Sequence, residues 1–426
     1  MTHHLILGAG PAGVIAAETI RKHAPADRIT IVGDEPEPPY SRMAIPYLLV
    51  GNIDERGTWL RKGGSHFVDL RIDIVRARAT HVDAAARTVA LDNGQTLAFD
   101  KLLIATGSHP VRPPIPGMDL PGIHPCWTLE NARAIAKLAQ PGARVLQMGA
   151  GFIGCIIMES LKQRGVDLTV VEMGDRMVPR MMGPAAGGMI RDWCEAKGVK
   201  VHTGAKVESI SQAGNALKVQ LSTGASIEAD LIISATGVRP AIGFLKDSGV
   251  TCLQGVLTDE HMQTNVPGIY AAGDCAEAFD KVSGKTMVSA IQPNAADQAY
   301  VAAMNMVGRQ AELKGVTQIN VLDTLGLISA SFGNWEGVPG GEHVERIDAE
   351  AKRVLSLQFS GDVMVGCNSV GWTEHVGMMR GLVEGRVHLG EWKDKLIADP
   401  TCLAQAYLGA AQGQGRWSGA QDTRRR

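Results

Sequence analysis

Two stretches of the chain repeat the same order of apolar and polar positions. In each, a short apolar strand runs directly into a glycine-rich turn, HLILGAGPAG from His4 and RVLQMGAGFIG from Arg144. An amphipathic segment follows each turn and predicts a helix, and a β-branched strand ending in an acid comes next, RITIVGDE and then DLTVVE. The repeated order predicts two tandem copies of one βαβ unit.

Later segments extend both copies and then change character. The pair KLLIATGSHP and LIISATGVRP follows the two copies at a similar distance. A further strand, GIYAAGD at 268–274, leads into PNAADQAYVAAMNMVG, where Pro293 in the first turn and Gly308 past the end delimit a helix. From about Val316, short alternating strands such as INVLDTLGLISASFG and RVLSLQFSGDVMVG precede helical segments.

This organisation predicts an α/β fold with two tandem Rossmann-like dinucleotide-binding domains and a C-terminal α+β domain. Residues 1–118 and 243–314 form the two parts of the first domain, and residues 119–242 form the second. Residues 315–415 form the C-terminal domain. The polar stretch 416–426 is expected to be a disordered tail.

Composition and charge argue against a nucleic acid or a membrane as the protein's partner. The chain has 426 residues, 45% of them hydrophobic, and its 42 Lys+Arg nearly balance its 44 Asp+Glu. The formal net charge of −2 gives no electrostatic reason to expect a nucleic acid or an anionic membrane as partner. No apolar run reaches the roughly 18 residues of a membrane span, and the first strand leaves no room for a signal peptide. We therefore expect a cytoplasmic protein.

Cysteine and histidine spacing excludes several kinds of site. The seven cysteines are widely separated and contain no CxxC, which argues against a disulfide framework, a zinc knuckle and a local redox dithiol. The histidines show neither HxxxH nor HExxH spacing. No metal site is expected.

Each glycine-rich turn has the spacing of a dinucleotide-binding finger. In the first, Gly8 permits the tight turn, Gly10 lets a pyrophosphate approach the backbone, and Gly13 lets helix pack on strand. The phosphates then lie at a helix N-terminus, whose free N–H groups favour negative charge. The predicted finger residues are Gly8, Gly10, Pro11, Ala12 and Gly13 in the first copy, and Gly149, Gly151, Phe152, Ile153 and Gly154 in the second.

The acid that ends the second strand of each copy is the candidate ribose ligand. In the second copy it is Glu172, whose carboxylate accepts from a free 2′-hydroxyl and repels a 2′-phosphate, so this site should prefer NADH to NADPH. In the first copy Asp34 and Glu35 compete, and we favour Glu35. Two sites imply two dinucleotides, and the economical pairing is NADH as hydride donor with FAD as acceptor.

The ordered motifs GAGPAG, PPYSR, ATGSHP, GAGFIG, SATGVRP and TNVPGIYAAGD resemble those of the pyridine nucleotide disulphide oxidoreductase superfamily over roughly residues 1–420. Within it, PPYSRMAIPYLLVG at 38–51 is most similar to NADH oxidases, rubredoxin and ferredoxin reductases, and the flavin part of nitrite reductases. The resemblance implies FAD as cofactor and NADH as substrate.

The resemblance also assigns individual residues. It implies that Gly8, Gly10, Gly13 and Glu35 contact the FAD adenosine and pyrophosphate, and that the helix from Pro293 directs its positive end at the flavin. Further cofactor-binding positions are Arg42 beside the FAD, Thr106 and Gly107 at its edge, Asp274 on the ribityl chain, and Gly237 and Gly273 in the adjoining turns.

Three positions depart from the family pattern. Met43 stands where the disulphide-using members carry their redox cysteine, which excludes thiol–disulphide chemistry at that position. Tyr47 and Ile156 replace a lysine and a glutamate that resemble an ion pair placing nicotinamide against flavin in ferredoxin reductases. Tyr47 is a candidate residue near the flavin, with an ordinary packing tyrosine as the alternative.

We therefore expect a flavoprotein reductase that takes hydride from NADH and passes electrons to a redox protein of the iron–sulphur, ferredoxin or rubredoxin type. The alternatives are an NADH oxidase that uses O2 or a small molecule, and a flavin-bound NADH-sensing interaction protein. The C-terminal domain is available for a homodimer interface.

Overall fold

The computed structural model describes residues 1–412, so the predicted tail 416–426 lies outside the described residues. The described chain contains the following strands: β1 His3–Leu7, β2 Arg28–Gly33, β3 Ile72–Arg76, β4 Ala79–Asp83, β5 Thr88–Leu91, β6 Thr96–Ala98, β7 Lys101–Ile104, β8 Ser108–Pro110, β9 Ile123–His124, β10 Arg144–Met148, β11 Asp167–Val171, β12 Lys200–His202, β13 Val207–Ala213, β14 Ala216–Leu221, β15 Ser226–Ala229, β16 Leu231–Ser234, β17 Val238–Pro240, β18 Val256–Leu257, β19 Ile269–Ala271, β20 Ala276–Phe279, β21 Thr286–Val288, β22 Ile319–Thr324, β23 Leu327–Gly333, β24 Glu342–Asp348, β25 Arg353–Ser360 and β26 Val363–Val370.

The α-helices of the described chain are α1 Pro11–His23, α2 Ile45–Val50, α3 Glu55–Thr58, α4 His66–Asp69, α5 Leu129–Leu138, α6 Phe152–Gln163, α7 Pro184–Ala196, α8 Gln292–Met306, α9 Val376–Gly385, α10 Glu391–Ala398 and α11 Leu403–Ala406. Within residues 1–412, no helix combines the length and apolar character needed to cross a bilayer.

The first of two compact units contains Met1–Ala44, Ile53–His109 and Val238–Thr317. Its parallel sheet has the strand order β19-β7-β1-β2-β3, and helices α1 and α8 pack against each other beside it. The central strands are apolar on both faces, as expected for a parallel sheet covered by other elements.

The second unit contains Ile45–Asn52, Pro110–Gly237 and the chain from Gln318 onward. It holds a parallel sheet with the order β12-β11-β10-β16-β9 and an antiparallel sheet with the order β22-β23-β26-β25-β24. On one face of the antiparallel sheet, three polar register partners are buried, since Ser331, Asn368 and Ser356 are each at most 7% exposed.

The predicted α/β class and both βαβ repeats are confirmed. Strands β1 and β10 run into helices α1 and α6, and each pairs in parallel with the strand that follows its helix. Helix α8 spans Gln292–Met306, with Pro293 in its first turn and Gly308 just beyond its end, as the sequence predicts. The predicted bounds of the three domains stay a prediction, while the two compact units show which segments pack together.

Candidate functional site

The first finger leaves an open space at its middle glycine. Gly8 has φ +118°, and a Cβ there would collide with the Ala105 carbonyl, while a Cβ on Gly13 would collide with the carbonyl of Gly8. A Cβ on Gly10 would meet nothing within 4 Å. Because Gly10 is also the N-cap of α1 and supplies no side-chain cap, the helix N–H groups face this space. The residues fit a pyrophosphate bound there.

The second finger repeats this arrangement. Gly149 has φ +96° and no room for a Cβ because of the Ala235 carbonyl, whereas a Cβ on Gly151 would meet nothing within 4 Å. Helix α6 begins after Gly151 without a side-chain cap. A Cβ on Gly154 would lie 2.6 Å from the carbonyl oxygen of Gly149, so close packing requires this glycine.

Glu172 lies against the second finger. Its Oε2 accepts from the backbone N–H of Ala150 at 2.7 Å, and its Oε1 accepts from the N–H of Gly174 at 2.7 Å. These donors fix the carboxylate at the end of β11, where a ribose ligand is predicted. A carboxylate oxygen has two lone pairs, so each oxygen can accept a further hydrogen bond from a sugar hydroxyl.

A chain of polar contacts in the first unit brings together three of the predicted FAD ligands. The Tyr40 hydroxyl donates to Glu35, and Arg42 Nη2 donates to the other Glu35 oxygen at 2.7 Å. Arg42 Nη1 donates to the Ser108 carbonyl at 3.3 Å, and the Ser108 hydroxyl donates to Asp274 at 2.8 Å. Tyr40 and Ser108 were not predicted individually, although both lie inside the motifs PPYSR and ATGSHP.

Burial and neighbouring polar groups have opposite effects on the pKa values of Asp274 and Arg42, two members of this series of polar contacts. Burial raises the pKa of the Asp274 carboxyl, against the Ser108 hydroxyl and the Arg42 charge, which lower it. Burial also opposes the charge of Arg42, but the Glu35 carboxylate raises the pKa of Arg42 overall. A buried carboxyl gains from hydroxyl donors, so the surroundings of Asp274 suit a sugar-alcohol chain such as the ribityl group.

The two candidate ribose ligands of the first copy have different surroundings. Asp34 pairs with Arg78 at 2.8 Å, and both side chains are well exposed. Glu35 has its side chain 26% exposed and belongs to the polar chain with Arg42. The preference for Glu35 stays a prediction.

A side chain of helix α8 holds the turn that carries Asp274. The Gly273 N–H donates to Gln298 Oε1 at 2.8 Å, and Gln298 is fully buried. Gly273 has φ +83°, and a Cβ there would lie 3.4 Å from the Ala12 side chain and 3.7 Å from that of Ala295. The turn therefore lies between the N-terminal regions of α1 and α8, which suits a bound anion or reduced cofactor.

The remaining predicted cofactor-binding residues lie in two turns with the sequence Ala-Thr-Gly, at 105–107 and 235–237. The Thr106 hydroxyl donates to the Ala241 carbonyl at 2.8 Å, and Gly107 and Gly237 adopt φ +67° and +110°. The positive φ values explain why glycine stands at both positions. Their contact with a cofactor stays a prediction.

Helix α2 carries Tyr47, and it packs on α6, which carries Ile156. The Ser160 hydroxyl of α6 donates to the Pro46 carbonyl at 3.1 Å, and Arg164 Nη1 donates to the Leu49 carbonyl at 2.7 Å. The positions that replace the lysine and the glutamate therefore lie on adjacent helices. Tyr47 is 59% exposed, which argues against a core-packing role.

Burial disfavours the thiolate form of most of the cysteines. All seven are free. Burial raises the pKa of Cys126, Cys194 and Cys367 to about 12, and it also raises the pKa of Cys155 and Cys275. Within residues 1–412, no three His, Cys, Asp or Glu side chains cluster as a metal site would require.

Known relatives match nearly the whole chain. The chain is 30% identical over 410 residues to the NADH-dependent phenylglyoxylate dehydrogenase subunit epsilon of Aromatoleum evansii, covering 96% of this chain and 97% of the relative. It is 32% identical over 401 residues to the NADH oxidase of Methanocaldococcus jannaschii, covering 86% and 87%. It is 29% identical to the biphenyl dioxygenase system ferredoxin–NAD(+) reductase component of Paraburkholderia xenovorans, covering 90% and 93%.

A solved structure shows the same fold. A chain of the covalent putidaredoxin reductase–putidaredoxin complex superposes with a TM-score of 0.88 at 22% identity, covering 96% of this chain and 99% of that one. The family model for pyridine nucleotide-disulphide oxidoreductases matches residues 2–304. This chain therefore belongs to the pyridine nucleotide-disulphide oxidoreductase family and is an FAD-dependent enzyme that uses NAD(P)H.

Proposed function

We propose that this enzyme transfers a hydride from NADH to FAD and passes the electrons to a redox protein of the iron–sulphur type. The observation that carries the proposal is Met43, which stands at the position of the family's redox cysteine. Without a thiol there, electrons leave from the flavin itself. FAD, when bound, accepts two electrons as a hydride and releases them singly, as a one-electron acceptor requires.

The chain's own residues bind and orient the cofactor. The open space at Gly10 would admit the pyrophosphate. Glu35 would hold the adenosine side, and Arg42, which donates to Glu35, would lie beside the FAD. Asp274, oriented by the hydrogen bond from the Ser108 hydroxyl, would accept a hydrogen bond from the ribityl chain. The N-terminal N–H groups of α8 would favour negative charge on a cofactor bound there.

The second finger binds NADH. The N-terminus of α6, open at Gly151, receives the pyrophosphate, and Glu172 accepts from the ribose 2′-hydroxyl. The same carboxylate repels the 2′-phosphate of NADPH, which gives the preference for NADH.

Several relatives support a protein as the electron acceptor. The Paraburkholderia relative is named a ferredoxin–NAD(+) reductase component, and a relative from Pseudomonas putida is named a rubredoxin–NAD(+) reductase. The Aromatoleum relative is named a subunit of a dehydrogenase, which also favours a protein partner. Redox partners of this kind bind through small, transient interfaces, typically below about 1,200 Å².

Turnover with different acceptors tests the proposal. NADH oxidation by the purified holoenzyme is followed with a ferredoxin, a rubredoxin, a one-electron dye or air-saturated buffer as acceptor. We expect slow reoxidation by O2 and much faster turnover with an iron–sulphur protein or the dye. Reoxidation by O2 as fast as NADH reduces the enzyme would overturn the protein-acceptor proposal.

The NADH oxidase of M. jannaschii, 32% identical over 86% of this chain, favours a second candidate function. In that case O2 is the acceptor, and turnover in air needs no added protein. A flavin-bound sensor would turn over poorly with every acceptor, so the same experiment separates all three functions.

We propose further that the enzyme is a cytoplasmic homodimer. The net charge of −2 is consistent with a partner other than a membrane or nucleic acid. Light scattering on the eluting holoenzyme measures the mass, and a monomer at micromolar concentration would contradict the dimer.

A further inference from the structure

The segment that follows Glu172 folds back onto the second finger. We call residues 173–183 the NAD-side loop. Its first part is tied to the finger, because Gly174 donates to Glu172 and the Val178 N–H donates to the Ala150 carbonyl at 2.9 Å. A Cβ on Gly174 would lie 2.9 Å from the Pro179 ring, so the loop doubles back on itself.

Backbone strain shows that the surroundings impose this conformation. Val178 has φ +50°, a left-handed conformation that a β-branched residue rarely adopts. Val178 is 1% exposed, and the neighbouring Met177 and Met182 are fully buried. Strained conformations persist only where neighbouring structure holds them in place.

The C-terminal antiparallel sheet is hydrogen-bonded to the other end of the loop. On β26, Asn368 Oδ1 accepts from the Gly183 N–H at 2.8 Å, and Asn368 Nδ2 donates to the Met181 carbonyl at 2.8 Å. The Trp335 indole N–H donates to the Arg180 carbonyl at 3.2 Å. Two hydrogen bonds from Asn368 of β26 and one from Trp335, which lies just after β23, thus join this part of the chain to the loop.

Asn368 is suited to hold the loop in one conformation. It is 2% exposed, and a buried amide is costly unless its oxygen and nitrogen both find partners. Here the loop provides one donor and one acceptor to the same side chain. Displacing the loop would leave both amide groups buried without those partners.

We propose that Asn368 is a positioning residue for the NADH site: through the NAD-side loop, the C-terminal sheet holds Glu172 and the Ala150 backbone in the geometry that binds the adenosine half of NADH. The inference rests on the proposed function, in which the second finger binds NADH. It makes the C-terminal sheet part of the binding site without any direct contact with the nucleotide.

The test compares Asn368→Ala and Trp335→Phe with Ser356→Ala in the FAD-bound full chain. Ser356 is the register partner of Asn368 and is buried, and its hydroxyl accepts a hydrogen bond from Gln358 rather than from the loop. ADP-ribose is the probe, since it carries the adenosine half and no nicotinamide. Its Kd is measured by calorimetry, with FAD content, melting temperature and dye turnover at saturating NADH alongside.

We expect Asn368→Ala to bind ADP-ribose about tenfold more weakly, as for the loss of about one net hydrogen bond. Trp335→Phe, which loses only the indole donor, should weaken binding by about threefold. Ser356→Ala should bind as the wild type does. The KM for NADH should rise with the Kd in both loop variants, while kcat and FAD content stay unchanged.

Each other outcome has a defined meaning. An unchanged Kd in folded Asn368→Ala, or an equal loss in Ser356→Ala, overturns the positioning role. If Asn368→Ala does not fold, Trp335→Phe decides: wild-type affinity in that variant overturns the inference. A wild-type enzyme that binds neither ADP-ribose nor NADH contradicts the proposed function itself, and the inference falls with it.

Discussion

Replacing Glu172 with alanine should shift the enzyme's choice between NADH and NADPH. In the structure the carboxylate accepts 2.7 Å hydrogen bonds from Ala150 and Gly174 and stays able to accept from a ribose hydroxyl. Alanine removes the ribose acceptor, which weakens NADH binding, and removes the negative charge that repels the 2′-phosphate. The two effects act in the same direction on selectivity.

The magnitude follows from these two interactions. A ribose hydrogen bond contributes about 1 kcal/mol net. Repulsion between two negative charges about 4 Å apart is on the order of 1 kcal/mol in water and rises to about 4 kcal/mol at a protein surface. The substitution also leaves two backbone N–H groups without their acceptor, which loosens the loop and offsets part of the gain for NADPH. The ratio of kcat/KM for NADH to that for NADPH should therefore fall by about tenfold to a hundredfold.

The assay measures kcat/KM for both nucleotides with a one-electron dye as acceptor. Asp34→Ala is the control, because Asp34 is an exposed acid at the equivalent strand end of the first copy and pairs with Arg78. It should leave the selectivity ratio unchanged. Equal use of both nucleotides by the wild type, or an unchanged ratio in Glu172→Ala, would refute the reasoning.

The remaining predictions concern the cofactor, the thiols and pH. Gly10→Ala should fold but lose FAD, since its Cβ meets no protein atom within 4 Å and enters the pyrophosphate space, whereas Gly8→Ala should not fold because of the Ala105 carbonyl; flavin absorbance and near-ultraviolet circular dichroism distinguish the two. Alkylating the accessible thiols should leave NADH-to-dye turnover intact, and titration with NADH should end at about two electrons per flavin, so uptake of about four would reveal an unrecognised disulphide. Burial lowers the pKa of His4 from its ordinary value of 6.5, and the hydrogen bond that its Nε2–H donates to Asp27 opposes this effect. The contribution of His4 to stability is therefore present above pH 6.5 and is lost as pH falls through the lower folded pKa. His4→Gln should flatten the dependence of melting temperature on pH in this range, and an unchanged slope would contradict the assignment.

The elements that the sequence predicted correctly are those governed by nearby residues. The strand–turn–helix order of both fingers follows from apolar periodicity and from glycines such as Gly8 and Gly149, whose positive φ values other residues rarely adopt. Helix α8 is similarly local, since Pro293 fits the first turn and Gly308 lies just beyond the end. Strand β24 was not predicted, because its mostly exposed residues lack the apolar alternation that indicates a strand.

The site was predicted as a set of positions but not as a network. The acid at a strand end suggested Glu35, and the family resemblance implied Arg42 and Asp274. Only the folded chain joins the three residues, through Arg42 and Ser108. Position in the sequence also cannot decide between Asp34 and Glu35 as the ribose ligand, because the two acids are adjacent. Their surroundings differ because distant segments supply the partners, Arg78 for one and Arg42 for the other.

The contribution of the C-terminal sheet to the second finger was visible only in the tertiary structure. Asn368 and Gly183 are 185 residues apart, and neither carries a motif. Local conformational preferences and apolar periodicity determine strands, turns and helices, so sequence alone determined the two fingers and their order. Hydrogen bonds between distant segments depend on how completed elements pack, and that packing decided which side chains hold the NAD-side loop in place.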